Sequence, residues 1–255
     1  MDALLGAGIA IACFMLVLFV ISLVRSDNSI ADIGYGIAFI VGILTVVLVH
    51  GVHGPTWLIV LLPVLWGLRL AIRIFRRNWK RPEDFRYRAW RESWGKWFVV
   101  RSFFQIYVLQ GTIIFLVALP VFLAIAFPRE PYMLLVALGV AMWMIGFFFE
   151  ARGDYELDRF IAQPENKGKI MDQGLWRYSR HPNYFGESLM WWGIFILSCG
   201  LSSFAAWALI SPALITYLLL FVSGVPMLEK RFAGNPAWEA YKAKTSVFIP
   251  LPPRT

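Results

Sequence analysis

The sequence predicts an all-α integral membrane protein with seven transmembrane helices, and three observations carry that prediction. First, 59% of its 255 residues are hydrophobic and only 16% are charged, against the roughly 45–50% apolar content of a soluble domain. Second, the apolar residues are gathered into stretches at 3–24, 30–49, 56–75, 103–127, 132–149, 184–200 and 204–222. Each is close to the ~20 residues a helix needs to cross a bilayer. Third, the cations are sorted by side. Of 24 Lys and Arg, Arg129 alone lies in a loop after an even-numbered span. The others follow spans one, three, five and seven or sit in the helix ends leading there. The positive-inside rule then places the N-terminus outside and the C-terminus in the cytoplasm.

Composition excludes as much as it suggests. The net charge of +8 is spent on topology, so nucleic acid is not an expected partner. Cys13 and Cys199 both fall within spans, which leaves neither a disulfide framework nor a metal-ligand spacing. There is no G-x-G-x-x-G, no Walker loop, no catalytic Ser elbow, no H-E-x-x-H and no C-x-x-C arrangement. Neither an internal repeat nor a low-complexity segment is visible, and the chain reads as one domain over 1–255, acting as a monomer.

Span one carries Gly6, Ala7, Gly8, Ala10 and Ala12, small residues that let helices approach closely. Its acidic Asp2 and long apolar run make it a retained helix rather than a signal peptide. Span two opens on Asp32 and Tyr35, three residues apart and so on one helix face. Asp32 suits the positive end of the helix dipole, and the pair also suits the lining of a cavity open to the cytoplasm. The His50–His53 turn that follows has no third ligand and reads as an ordinary loop. Span three contains Trp66 and ends in an arginine ladder: Arg69, Arg73, Arg76 and Arg77, followed by Asn78. Snorkelling to headgroups accounts for Arg76 and Arg77. Arg69 lies one to two turns deeper, where a guanidinium calls for an anionic partner.

The 78–101 connection is dense in cations and aromatics. Its Trp residues suit an interfacial amphipathic segment. Glu83-Asp84 beside Arg86-Tyr87-Arg88 suits a mononucleotide, with Arg for phosphate, Tyr for stacking and acid for ribose hydroxyls. Spans four and five are mostly bulk. Span five then runs into the stretch 150–187, where Glu150, Asp154 and Asp158 recur every four residues and Tyr155 and Arg159 form a second row. Charges that enter and leave apolar helices cost at least a few kcal/mol to keep there, which points to a polar ligand. After span seven comes a tail with Arg231 and Tyr241.

These residues form an expected cytoplasm-facing mouth above an apolar interior: Arg69, Arg73, Asn78, Arg86, Tyr87, Arg88, Asp154, Tyr178, Arg180, His181, Asn183 and Glu187. Such a mouth suits a large anionic cofactor and a hydrophobic small-molecule substrate arriving from the bilayer among membrane lipids. Hydride transfer from a nicotinamide and methyl transfer from S-adenosylmethionine both fit.

The run Gly174-Leu175-Trp176-Arg177-Tyr178-Ser179-Arg180-His181-Pro182-Asn183-Tyr184-Phe185-Gly186-Glu187 resembles the signature of the bacterial branch of the steroid 5α-reductase-like family. Phe149-Glu150…Asp154 and Glu83-Asp84-Phe85-Arg86-Tyr87 add to the likeness, which covers nearly the whole chain. The Arg-His-Pro run is shared with isoprenylcysteine and phospholipid methyltransferases, which keeps S-adenosylmethionine-dependent methyl transfer as the alternative. The resemblance implies a seven-helix enzyme that uses NADPH to reduce a carbon–carbon double bond conjugated to a ketone. It implies cofactor contacts at Asp154, Tyr178, Asn183 and Glu187, at Arg69 and Asn78, and in looser register at Arg231 and Tyr241. The chain departs from the steroid enzymes where those bind the ketone. It has Asp32-Ile33 in place of a Gln-Glu pair and Trp66 near a Tyr position, so Asp32, Tyr35 and Trp66 are the expected substrate-end residues.

Overall fold

The computed structural model describes residues 2–79 and 81–254. Among them helices account for the regular structure and there is no strand, only an isolated bridge between Pro128 and Ser202. Among the described residues six helical stretches are long and apolar enough to cross a membrane: Asp2–Arg25, Ile30–His50, Thr56–Asn78, Phe85–Ala126, Met133–Ala162 and Ala205–Phe232. The stretch expected as the sixth of seven spans does form a 20-residue helix, Pro182–Leu201. Asn183, Glu187 and Ser188 in its first two turns dilute its apolar character and keep it out of that set.

The chain folds into two compact units, Met1–Tyr132 with Ser198–Ala208, and Met133–Leu197 with Leu209–Thr255. In the first, α1 (Asp2–Arg25) buries Ala3, Ala7, Ile11, Met15, Leu18 and Ser22, one residue from every turn and hence one stripe. That stripe packs on α2 (Ile30–His50), which in turn packs on α3 (Thr56–Asn78). α2 and α3 cross where Gly36 meets Gly67, and a side chain at Gly36 would collide with the Gly67 carbonyl. The 78–101 connection contains α4 (Phe85–Trp94), which starts where the Asp84 carboxylate accepts from the Arg86 N–H at 3.0 Å, a side-chain cap. After α5 (Phe98–Ser102) and a π-helical segment, Phe103–Val108, the chain enters α6 (Leu109–Ala126). α6 contacts α1, α2 and α3 and buries an unbroken run from Pro120 to Ile125.

The second unit is built on α7 (Met133–Ala162) and α8 (Pro182–Leu201). Gly139, Gly146 and Gly153 recur every seven residues on α7, and Gly186 and Gly193 do so on α8. A Cβ at Gly146 would stand 2.6 Å from the Gly186 carbonyl oxygen, and one at Gly193 would stand 2.7 Å from that of Gly139. The two backbones therefore touch along a seam that only glycine permits, the small-residue packing of membrane helices. α9 (Ile210–Tyr217) joins α8 through Thr216, whose hydroxyl lies 2.6 Å from the Ser188 hydroxyl and accepts from the Trp192 indole at 3.2 Å. α10 (Val225–Glu229) and α11 (Pro236–Lys244) follow, the latter capped by the Asn235 side chain.

Candidate functional site

Each unit gathers a share of the expected site residues. In the first, the turn between α1 and α2 and the start of α2 meet the start of α4. Asp32 accepts from the Arg86 guanidinium through one carboxylate oxygen and from the Tyr87 hydroxyl, at 2.6 Å, through the other. Arg86 also reaches Asp84 at 2.9 Å. Burial works against the Asp84 charge, but the hydrogen bonds and charge of Arg86 outweigh it and hold the carboxyl below its ordinary range. Glu83 accepts from the Arg91 guanidinium at 2.8 and 3.0 Å and from the Asn28 N–H at 2.9 Å. Asn28 accepts from the buried Tyr107 hydroxyl at 3.0 Å, and the Asp84 N–H donates to Ser29 at 2.8 Å. This is a closed network: acids and bases expected to meet a nucleotide spend themselves on one another and fasten α4 to the α1–α2 turn.

Tyr35, Phe39 and Trp66 form an edge-to-face cluster, with ring centroids 5.2 Å apart for Tyr35–Phe39 and Phe39–Trp66 and 6.2 Å for Tyr35–Trp66. Trp66 is fully buried. Two of the expected substrate-end residues thus touch, while the third, Asp32, is held by Arg86 and Tyr87. Arg69 and Arg73 are half-buried on α3 and Arg88 is exposed. Asn78 accepts from Arg77 at 3.1 Å, and its buried amide nitrogen has no partner among the described residues.

The second unit assembles the 174–187 motif differently. Asp154, 3% exposed on α7, accepts from the Asn183 amide at 3.1 Å. The other amide atom, Asn183 Oδ1, is buried and has no partner among the described residues. Glu187 follows one turn later on α8, half-buried. His181 Nε2 lies 3.1 Å from Glu229 Oε1, while its Nδ1 is buried and unpartnered. Burial lowers the His181 pKa from its ordinary value, and the hydrogen bond and charge of Glu229 only partly oppose this. The neutral ring therefore carries its proton on Nε2, donated to Glu229, and presents Nδ1 as a bare acceptor. Two buried acceptors two residues apart are thus left without a donor among the described residues, where an unpaired buried polar group costs about 1–3 kcal/mol.

Arg180 does something the sequence does not suggest. Its guanidinium donates to Glu229 at 2.8 Å and to the Thr245 and Lys242 carbonyls at 2.7 and 3.3 Å. Beside it, the Arg180 N–H donates to the Ser246 carbonyl, the Ser179 hydroxyl to that of Phe248 and the Leu251 N–H to that of Tyr178. The Tyr241 hydroxyl donates to the Trp176 carbonyl, and its pKa is pushed up by burial. The C-terminal segment is thus bonded to the motif loop. Tyr178 keeps its ring exposed, and Arg231 is exposed in the tail. Glu229 is the residue that sequence reasoning passed over; it stands 48 positions from His181, and no local pattern announces the pair.

Residues 18–245 match a family described as proteins of unknown function, DUF1295. An uncharacterized protein of the fission yeast Schizosaccharomyces pombe, C594.04c, is 25% identical over 219 residues, which is 74% of this chain. The chain spans 61% of the length of that relative. No solved structure matches. With the match running over nearly all of its length, the chain belongs to the DUF1295 family.

Proposed function

We propose that this membrane protein is an NADPH-dependent reductase that saturates a C=C bond conjugated to a ketone in a hydrophobic, steroid-like or other lipid substrate. The observation that carries the reading is the pair of buried, unpartnered acceptors, Asn183 Oδ1 and His181 Nδ1, next to the Asp154–Asn183 hydrogen bond. NADPH offers a carboxamide, an exocyclic amine and ribose hydroxyls, so acceptors of this kind fit it. Asp154, Tyr178, Asn183 and Glu187 would hold it. Once bound, the nicotinamide supplies a hydride. The chain's own task is then to stabilise the enolate charge that develops on the ketone oxygen, which needs a hydrogen-bond donor aimed there. Tyr35 and Trp66 are assigned that end of the substrate, with Asp32 anchoring the helix that carries Tyr35. Relatedness of the DUF1295 family to steroid 5α-reductase-like membrane proteins supports the assignment. The same reading takes α8 as a seventh span, the C-terminus as cytoplasmic and the bacterial inner membrane as the location.

A second reading, S-adenosylmethionine-dependent methyl transfer, is favoured by one observation. Arg86 and Arg180, two of the cations expected to meet the phosphates of NADPH, are bonded to carboxylates. S-adenosylmethionine has no phosphate to pair. Thermal unfolding of the detergent-solubilised protein separates the two. A ligand bound only by the folded state stabilises it by about 2.7 kcal/mol at a hundredfold excess over Kd. Stabilisation by NADPH and not by S-adenosylmethionine is expected, followed by NADPH oxidation when an enone such as a 3-oxo-4-ene steroid is added. Stabilisation by S-adenosylmethionine alone overturns the reductase reading.

A further inference from the structure

In the first unit, α1 and the wall formed by the π-helical segment 103–108 and α6 enclose a cavity of about 450 Å³. Its lining runs from Gly8 to Leu16 along α1, about 12 Å at 1.5 Å per residue, so it is an elongated slot. Gly8 and Gly111 are part of its lining. Its wall is a wide π turn, a local irregularity that recurs at functional positions. Cys13, Leu16, Val108 and Thr112 are exposed along its flank. Both walls belong to stretches apolar enough to cross a membrane, so what reaches that flank is lipid.

The polar atoms of the lining decide the class of occupant. The Thr112 hydroxyl donates to the Val108 carbonyl of its own helix at 2.9 Å. The Tyr107 hydroxyl is turned to Asn28. Apart from the weakly polar Cys13 thiol, no side chain of the lining has a donor to spare. A ketone, hydroxyl or headgroup placed there would lose its hydration for nothing, at a cost of roughly 2–7 kcal/mol. Water needs two to four polar partners and is excluded for the same reason. Hydrocarbon remains. The volume is about three times that of the engineered apolar cavity that takes up benzene, so a flexible chain fills it where a small ring would not.

We propose that this slot is a binding site for one acyl chain of a membrane phospholipid. The site is separate from the residues assigned to cofactor and ketone, and it stands whichever reaction the protein performs. The test uses the full chain in phosphatidylcholine vesicles doped with a phosphatidylcholine that carries a diazirine on one acyl chain. After irradiation, adducts are mapped by fragment mass. Adducts on Cys13, Leu16, Phe103 and Thr112 are expected to exceed those on Val17 and Val24, exposed on α1 outside the slot, several-fold. Thr112→Phe plugs the slot from an exposed position and should bring labelling down to the Val17 level without changing thermal unfolding. Ala12→Leu serves the same end if Thr112→Phe fails to fold. Uniform labelling of all exposed positions, or labelling indifferent to both plugs, overturns the proposal. So does efficient dimer formation by a short bismaleimide in the Cys199→Ser chain, where Cys13 is the remaining thiol, because a second copy would then cover the slot.

Discussion

The Asp32 cluster and the His181 cluster contain the same kinds of side chain, and they differ in what is left over. Around Asp32, both carboxylate oxygens of Asp32 and of Glu83 have donors: Arg86 and Tyr87 on Asp32, Arg91 and the Asn28 backbone on Glu83. Around His181, Glu229 Oε1 accepts from both Arg180 and His181, yet Asn183 Oδ1 and His181 Nδ1 are left bare inside the protein. A network that closes on itself has the economy of a joint. One that leaves buried acceptors unpaired is incomplete without something else, and that is why the second cluster carries the proposed cofactor site. Charge alone does not tell the two apart; the account of hydrogen bonds does.

Four experiments break or sharpen this contrast, from the largest expected effect down. Removing one partner of a buried ion pair costs about 3–5 kcal/mol because the other charge stays behind. Glu229→Ala strands Arg180, which is 8% exposed, so the variant should unfold far below the parent temperature or fail to accumulate. Arg180→Met with Glu229→Gln together should recover part of that loss. If Glu229→Ala melts like the parent, the tail clamp is not what organises the motif. Next comes the glycine seam. Gly146→Leu forces α7 away from α8 and should cost about 1–3 kcal/mol, seen as a lower unfolding midpoint, whereas Gly6→Ala, whose added Cβ meets only the Thr45 methyl at 3.6 Å, should cost far less.

Third, Asn183→Ala removes a hydrogen bond whose net worth is about 1 kcal/mol. NADPH affinity should fall roughly five- to tenfold, since 1.4 kcal/mol is a factor of ten in binding. Asp32→Asn should instead lower the unfolding temperature and leave the affinity intact. The reverse pattern, with Asp32→Asn abolishing binding and Asn183→Ala neutral, would exchange the roles of the two clusters. The smallest effect is one of pH. The folded His181 titrates below its ordinary value, so the unfolded chain takes up a proton first. Stability is fully present above about pH 6.5 and is lost as the pH falls from there through the folded value. His181→Gln should flatten that part of the unfolding profile between pH 7.5 and 5.5, and an unchanged slope would assign it to other groups.

Helices were legible in the sequence because hydropathy is a bulk property read over some twenty residues. Asp84 before α4 was legible in kind, since a short acid ahead of an amphipathic stretch is a capping residue, but Glu83-Asp84-Arg86-Tyr87 reads equally well as nucleotide chemistry. Only the geometry distinguishes a self-paired network from an open one. The α7–α8 seam stood in plain view as Gly139, Gly146 and Gly153 facing Gly186 and Gly193, and a seven-residue glycine period is a usable signal. Glu229 was illegible for a different reason. Its partners lie on another part of the chain, and pairing at that distance follows from the fold and not from spacing. Asp154 with Asn183 falls between these extremes: both residues are in the motif run that resembles the reductase family, while the hydrogen bond between them is a product of the glycine seam that brings α7 against α8.

The bonds from residues 241–251 back to Trp176, Tyr178, Ser179 and Arg180 bear on how the protein is made. Synthesis runs from the N-terminus, so the motif loop leaves the ribosome well before the segment that fastens it. Until that segment arrives, Arg180 has neither the Lys242 nor the Thr245 carbonyl, and a nascent chain carries the motif without its clasp. A product cut short in its last turn of helix would insert its apolar helices normally and still lack a finished site. The order of synthesis therefore leaves the 174–187 loop to be fastened last.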